Sequence, residues 1–173
     1  VNIASYVGHN TLRDSVLGRD FRRTASKEEI DRMNEMMRAD LQAGALGLST
    51  GLEYDPGIYS TREEVLSLSE VCAKEGGRYI SHMRSEDRFF WPALNELLTI
   101  GARTGMPVQI SHTKLAMKSL WGQSRQLVHK LDSARSAGIN VTADVYPYTY
   151  WQSTMKVLFP ERNFQDERAA AFA

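Results

Sequence analysis

A single cysteine, Cys72, stands in this sequence of 173 residues, so no internal disulfide can form. That suits a reducing compartment, and a cytoplasmic location is the expectation. Neither charge is in excess: 21 Lys+Arg balance 21 Asp+Glu. The balance leaves out the basic surface that nucleic acid requires and any acidic tail. No run approaches the roughly 20 apolar residues of a membrane span, so no membrane partner is expected. Repeats of roughly 20–50 residues and low-complexity tracts are missing too. The first residues, Val1 to Val7, carry no basic flank and no long apolar stretch, so they do not form a signal peptide. They have the pattern of a strand, and with no Met before them the expectation is a chain that starts inside something larger. What remains is 42% hydrophobic and 24% charged, ordinary for one globular domain with a real core.

Periodicity divides the chain into alternating elements. Val1 to Val7 is β-branched and ends at Gly8; residues 8–24 are polar and expected as loop with a helical turn. Ser26 and Glu29 make a capping box before a helix whose buried face is Ile30, Met33, Met37 and Leu41. Ala45 to Thr50 is a second strand. Thr61 and Glu64 make a second capping box, opening a helix with Val65, Leu68, Val71 and Cys72 inward. Arg78 to His82 is the third strand. Phe89 to Arg103 is helical, with Pro92 in the first turn, where proline is tolerated. Met106 to His112 is the fourth strand, Gln123 to Ala137 a helix, and Ile139 to Val145 the fifth strand. Thr149 to Ala173 is irregular, with a short helix over 165–172. Alternation of this kind gives an α/β fold with a parallel sheet and right-handed crossovers. Five strands fit an open doubly wound sheet or five-eighths of a (β/α)8 barrel, and both put functional residues at the strand C-terminal ends.

Polar residues gather there. Ser81-His82 and Ser111-His112 end two consecutive strands, thirty positions apart. Two imidazoles in equivalent places on neighbouring strands can ligate one cation through neutral nitrogens; the alternative is two histidines satisfied by carbonyls. A catalytic zinc site takes about three protein ligands, and a third is not obvious. His9 is a spare candidate, Cys72 reads as core and His129 as a solvated helix residue. Arg84 and Lys114 each follow a histidine by two, the spacing that returns to one face of a strand. Both are expected at the site mouth, there to bind a carboxylate or a developing oxyanion; an ion pair of Arg84 with Glu86 or Asp87 is the alternative. Asp144 could be a ligand, a partner to one, or a cap. Tyr54, Tyr146 and Tyr148 lie in loops on the same edge, as substrate contacts or as core aromatics.

Four stretches together resemble a known family: Gly44-Ala-Leu-Gly-Leu-Ser-Thr-Gly-Leu-Glu-Tyr54, Tyr79-Ile-Ser-His-Met-Arg-Ser-Glu86, Val108-Gln-Ile-Ser-His-Thr-Lys114 and Thr142-Ala-Asp-Val-Tyr-Pro-Tyr148. With the opening Val1 to Arg13, they are similar to the D-aminoacylases, or N-acyl-D-amino-acid deacylases, of the amidohydrolase superfamily. The resemblance implies a single partial (β/α)8 TIM barrel over 1–173, supplying strands three to seven with the N- and C-terminal parts absent. It implies zinc held by His82 and His112, and Tyr54, Lys114, Tyr146 and Ser153 around an N-acyl amino acid substrate. It also implies what the chain lacks: a His-x-His pair, a ligating cysteine on an earlier strand, and the aspartate that serves as general base. Tyr150-Trp151-Gln152 is bulkier than the small residues the family places before Ser153. The expected function is zinc-dependent cleavage of the amide bond of N-acyl-D-amino acids, with the 173-residue chain inactive by itself. Its two open sheet edges would invite self-association. Two alternatives stay open: a cyclic amidase of the dihydroorotase kind, and a non-catalytic α/β domain that binds a small ligand.

Overall fold

Strand order settles the choice between an open sheet and a barrel. The computed structural model describes residues 1–155. Its strands are β1 (Val7–Gly8), β2 (Gly47–Gly51), β3 (Arg78–His82), β4 (Val108–Ile110) and β5 (Val141–Ala143). All pair in parallel, and they lie in the sheet in chain order. A doubly wound sheet needs a reversal of strand order at its switch point. Among the described residues there is none. Successive right-handed crossovers in one direction put the helices on one face, which is the winding of a (β/α)8 barrel.

The helices are α1 (His9–Leu17), α2 (Lys27–Gln42), α3 (Arg62–Lys74), α4 (Phe90–Thr104) and α5 (Ser124–Ser136). Between the helices and the sheet lies the core. Leu48, Tyr79, Val108, Ile110 and Val141 face it from the strands; Met33, Met37, Val65, Leu68, Phe90 and Leu94 face it from the helices. Each such side chain contributes about 1.5–3 kcal/mol on burial. The alternate strand residues Ser49, Ile80, His82 and Gln109 are only partly covered. They line the opposite, polar face, the interior side of a barrel. Gly47 allows β2 and β3 to approach: a Cβ built there would lie 1.9 Å from the Arg78 carbonyl oxygen.

Four helices start and stop near the expected places. Ser26 and Glu29 form the reciprocal capping box, and Gly105, in the left-handed region, closes α4. Other expectations fail for physical reasons. The first strand shrinks from seven residues to Val7–Gly8 and the fifth to Val141–Ala143; among the described residues both are edge strands, paired on one side only. Residues 9–17, expected as loop, are helical, burying Leu12, Arg13 and Leu17. That helix has no side-chain cap to announce it. The short helix expected over 165–172 lies outside the described residues.

The second capping box is half made. Thr61 Oγ1 accepts from the Glu64 N–H, but the Glu64 carboxylate is claimed by α1. Its Oε1 accepts from His9 Nε2 at 2.7 Å and its Oε2 from Arg13 Nη1 at 2.5 Å, all three residues buried. Arg13 also donates to the Phe21 and Arg23 carbonyls. One guanidinium thus neutralises one carboxylate, and His9 completes the set as a neutral donor. Burial, outweighing the pull of Glu64, holds His9 below its usual 6.5. Burial pushes Glu64 up, but the His9 and Arg13 hydrogen bonds outweigh it and bring the carboxyl below its usual 4.5.

Both shifts act in the same direction. The unfolded chain takes up protons before the folded one, so this stability is present above the unfolded values and lost as pH falls. The thermal midpoint should therefore decline from about pH 6.5 as His9 engages, and more steeply below 4.5 as Glu64 does. Glu64→Ala, which strands Arg13 in the interior, should cost about 3–5 kcal/mol in urea unfolding at neutral pH.

Candidate functional site

β3 and β4 deliver the two histidines. In the pairing of these strands Ser81 stands opposite Ile110, so the next residue, His82, is level with Ser111 rather than His112. The histidines are therefore one residue out of register, not in equivalent positions. An extended chain would then put the His112 ring on the opposite face from His82. Instead His112 has φ 39°, the one positive value at a non-glycine among the described residues. This turn brings its ring back over the sheet edge. His82 Nδ1 and His112 Nε2 lie 3.0 Å apart.

Carboxylates stand behind both rings. His82 Nε2 donates to Glu53 Oε2 at 2.9 Å, which leaves its Nδ1 with a lone pair. His112 Nδ1 lies 2.9 Å from Glu86 Oε1 and 3.0 Å from Lys114 Nζ, two groups that call for opposite tautomers. Lys114 already pairs with the other oxygen of Glu86. With the proton on Nδ1, directed at Glu86, both remaining lone pairs converge on one point. Ligand atoms of His82, Glu86 and His112 all lie within 4.8 Å of one another, close enough to hold a metal ion. Glu53 and Glu86 are the residues that sequence reasoning missed, since loop carboxylates follow no period; their places inside the Leu52-Glu53-Tyr54 and Arg84-Ser85-Glu86 stretches were the only signal.

A cavity of about 460 Å³ opens over this group. Six of the residues singled out in the sequence line it: Tyr54, His82, His112, Lys114, Tyr146 and Ser153. Gly51 makes room for Tyr54, since a Cβ there would lie 2.1 Å from the phenol oxygen. Burial, and then the Glu86 and Glu53 charges, raise the Tyr54 phenol above its usual range, and burial followed by Glu86 does so for Tyr146. Both thus remain O–H donors at neutral pH. The Tyr146 hydroxyl is buried and has no partner among the described residues, and Lys114 Nζ stands 5.8 Å over its ring. The bulky Tyr150, Trp151 and Gln152 also line this space.

Arg84 and the spare candidate His9 resolve differently from expectation, while Cys72 and His129 fall where they were expected. Arg84 does not reach the cavity. β3 ends at His82, so the two-residue spacing no longer sets its direction. Its guanidinium binds Glu96 of α4 through both oxygens at 2.9 Å, and the Ser60 carbonyl. His9 is committed to Glu64. Cys72 is core, its thiol pushed up by burial to about 11, and His129 is exposed.

No family profile matches the chain. It is, however, 38% identical over 162 residues to an N-acyl-D-glutamate deacylase of Alcaligenes xylosoxydans xylosoxydans, covering 94% of this chain and 32% of that protein. To a D-aminoacylase of the same organism it is 36% identical over 156 residues, 90% of this chain and 32% of that one. The crystal structure of a D-aminoacylase described as defining a novel subset of amidohydrolases superposes with a TM-score of 0.80 at 38% identity, over 86% of this chain and 31% of the other. An N-acyl-D-glutamate deacylase from Bordetella bronchiseptica matches equally well; it was solved with zinc and a phosphonate inhibitor that mimics the reaction's tetrahedral intermediate. The chain spans about a third of the length of these relatives.

The sequential parallel winding, with histidines at the strand ends, is that of an amidohydrolase barrel. Within that class the chain is similar over nearly its whole length to the D-aminoacylases, or N-acyl-D-amino-acid deacylases.

The assignment of Arg84 to the scaffold has a direct check. Arg84→Ala and Glu96→Ala should each lower the unfolding free energy by about 1.5–3 kcal/mol, the range for a hydrogen bond to a charged group. A double-mutant cycle should give coupling of about 1 kcal/mol or more.

Proposed function

We propose that this chain forms the central part of a zinc-dependent hydrolase that cleaves the amide bond of N-acyl-D-amino acids. The observation that carries the reading is the pair of imidazole nitrogens facing each other at 3.0 Å, each backed by a buried carboxylate. Neutral imidazole nitrogen is a donor that suits zinc. His82 and His112 would hold the ion, with Glu53 and Glu86 fixing their tautomers. Zinc held there would polarise an amide carbonyl and bring a bound water to a pKa of roughly 7.

The chain's own residues would do the rest of the positioning. The Lys114 ammonium and the Tyr146 hydroxyl would donate to the substrate carboxylate or to the carbonyl oxygen as it gains charge. Tyr54 closes over His82, its ring centroid 5.1 Å from the imidazole's, and would exclude water from that side. Ser153 offers a further hydroxyl at the rim. The leaving amine also needs a proton returned to it. We assign that step to an aspartate outside this chain, together with the remaining ligands. The whole enzyme would then act on a small molecule in the cytoplasm. No helix among the described residues is long and apolar enough to cross a membrane. The open edges at β1 and β5 are where the rest of the barrel, or another copy, would pair.

The test is hydrolysis of N-acetyl-D-amino acids by the native polypeptide. Chelation should abolish it and zinc restore it. Lys114→Met should lower kcat/KM about 10- to 100-fold, the worth of one charge-assisted hydrogen bond. The 173-residue chain alone should show no turnover. Hydrolysis of cyclic ureides in place of N-acyl-D-amino acids would contradict the substrate assignment. Activity indifferent to chelation would contradict the metal, and turnover by the isolated chain would contradict the division of the site.

A further inference from the structure

The left-handed backbone at His112 needs an explanation, because β-region conformations are cheaper for any residue with a Cβ. β5 supplies one. Asp144 follows that strand directly, and its carboxylate oxygen Oδ1 accepts from the His112 backbone N–H at 2.5 Å. Its own carbonyl accepts from the next N–H, that of Thr113, at 2.8 Å, and its N–H donates to the Ile110 carbonyl at 3.1 Å. The turn is thus held on both sides of His112. The carboxylate is itself fixed. Gln109 Nε2 donates to Oδ2 at 2.7 Å, and the Gln109 carbonyl accepts from the Thr142 hydroxyl. Each of these contacts is with backbone or with a neutral amide, so Asp144 spends its hydrogen bonds on shape. Were residue 112 to continue as strand, the parallel ladder would direct its N–H at the Asp144 carbonyl, and both the carboxylate bond and the Thr113 bond would be lost.

We propose that Asp144 is a positioning residue. By clamping the His112 N–H it keeps the imidazole on the His82 side of the sheet, and so sets the separation of two metal-binding nitrogens without touching the metal. The zinc part of this inference rests on the function proposed above; the backbone part does not. Asp144 is exposed, so its truncation removes no core packing. Asp144→Asn keeps an oxygen for the His112 N–H while losing the charge.

The experiment reads both parts on the native polypeptide. In a crystal structure of Asp144→Ala, His112 should leave positive φ and its ring should separate from His82. Zinc affinity of the variants, from competition with a chromogenic chelator, should fall about 10- to 100-fold in Asp144→Ala, the scale for loss of a residue that orients a ligand. It should remain within about threefold of the parent in Asp144→Asn, a shift below 1 kcal/mol. An unchanged His112 backbone in Asp144→Ala would overturn the clamp whether or not zinc binds. Equal losses in the Asn and Ala variants would overturn it too, by making the charge the operative property. A parent protein that binds no zinc, with the backbone change still seen, would leave the clamp standing and remove the proposed zinc function.

Discussion

Two imidazole nitrogens 3.0 Å apart, on rings whose far nitrogens already face carboxylates, demand something positive between them. A metal ion meets that demand while both rings keep their far protons on the carboxylates. The pair exists only because two strands end within a residue of each other and one of them turns. β3 carries His82 straight onto the interior face. β4 ends one residue earlier in register, at Ile110, and the chain beyond it has to be bent to bring His112 alongside. The parallel pairing of β2 to β5 behind them is what makes so small an offset decisive, because a shift of one residue moves a side chain to the other face of a sheet.

The layer behind the site divides its polar groups by task. Buried charges that do not line the cavity are neutralised in pairs, Glu64 by Arg13 and Glu96 by Arg84. They tie α1 to α3, and the loop after β3 to α4. Pairs of this kind are weak evidence for stability in themselves, but breaking one is costly. Glu53 and Glu86 are different: they face histidines and a lysine at the cavity wall. There the same desolvation serves to orient donors.

Much of this was legible in the sequence. Met33, Met37 and Leu41, or Leu94, Leu97 and Leu98, repeat at helical spacing, and the Ser26 box and Gly105 mark where helices begin and end. The two Ser-His strand ends announced a shared site because strand C-termini in such folds converge. What was not legible depended on partners distant in sequence. Glu64 sits where a capping box would use it locally, yet Arg13 and His9 compete for it from 51 and 55 residues away. Arg84 was read by strand periodicity two residues past the point where the strand stops. The register of β3 against β4, and with it the turn at His112, follows from the crossover through α4. No local pattern encodes that.

The central claim is that His82 and His112 bind one zinc ion together. X-ray absorption at the zinc edge of the purified native polypeptide reads it most directly. The account predicts an imidazole shell at about 2.0–2.1 Å, losing one imidazole in His82→Ala and one in His112→Ala. A zinc environment with no imidazole shell, or one that neither substitution alters, would contradict it.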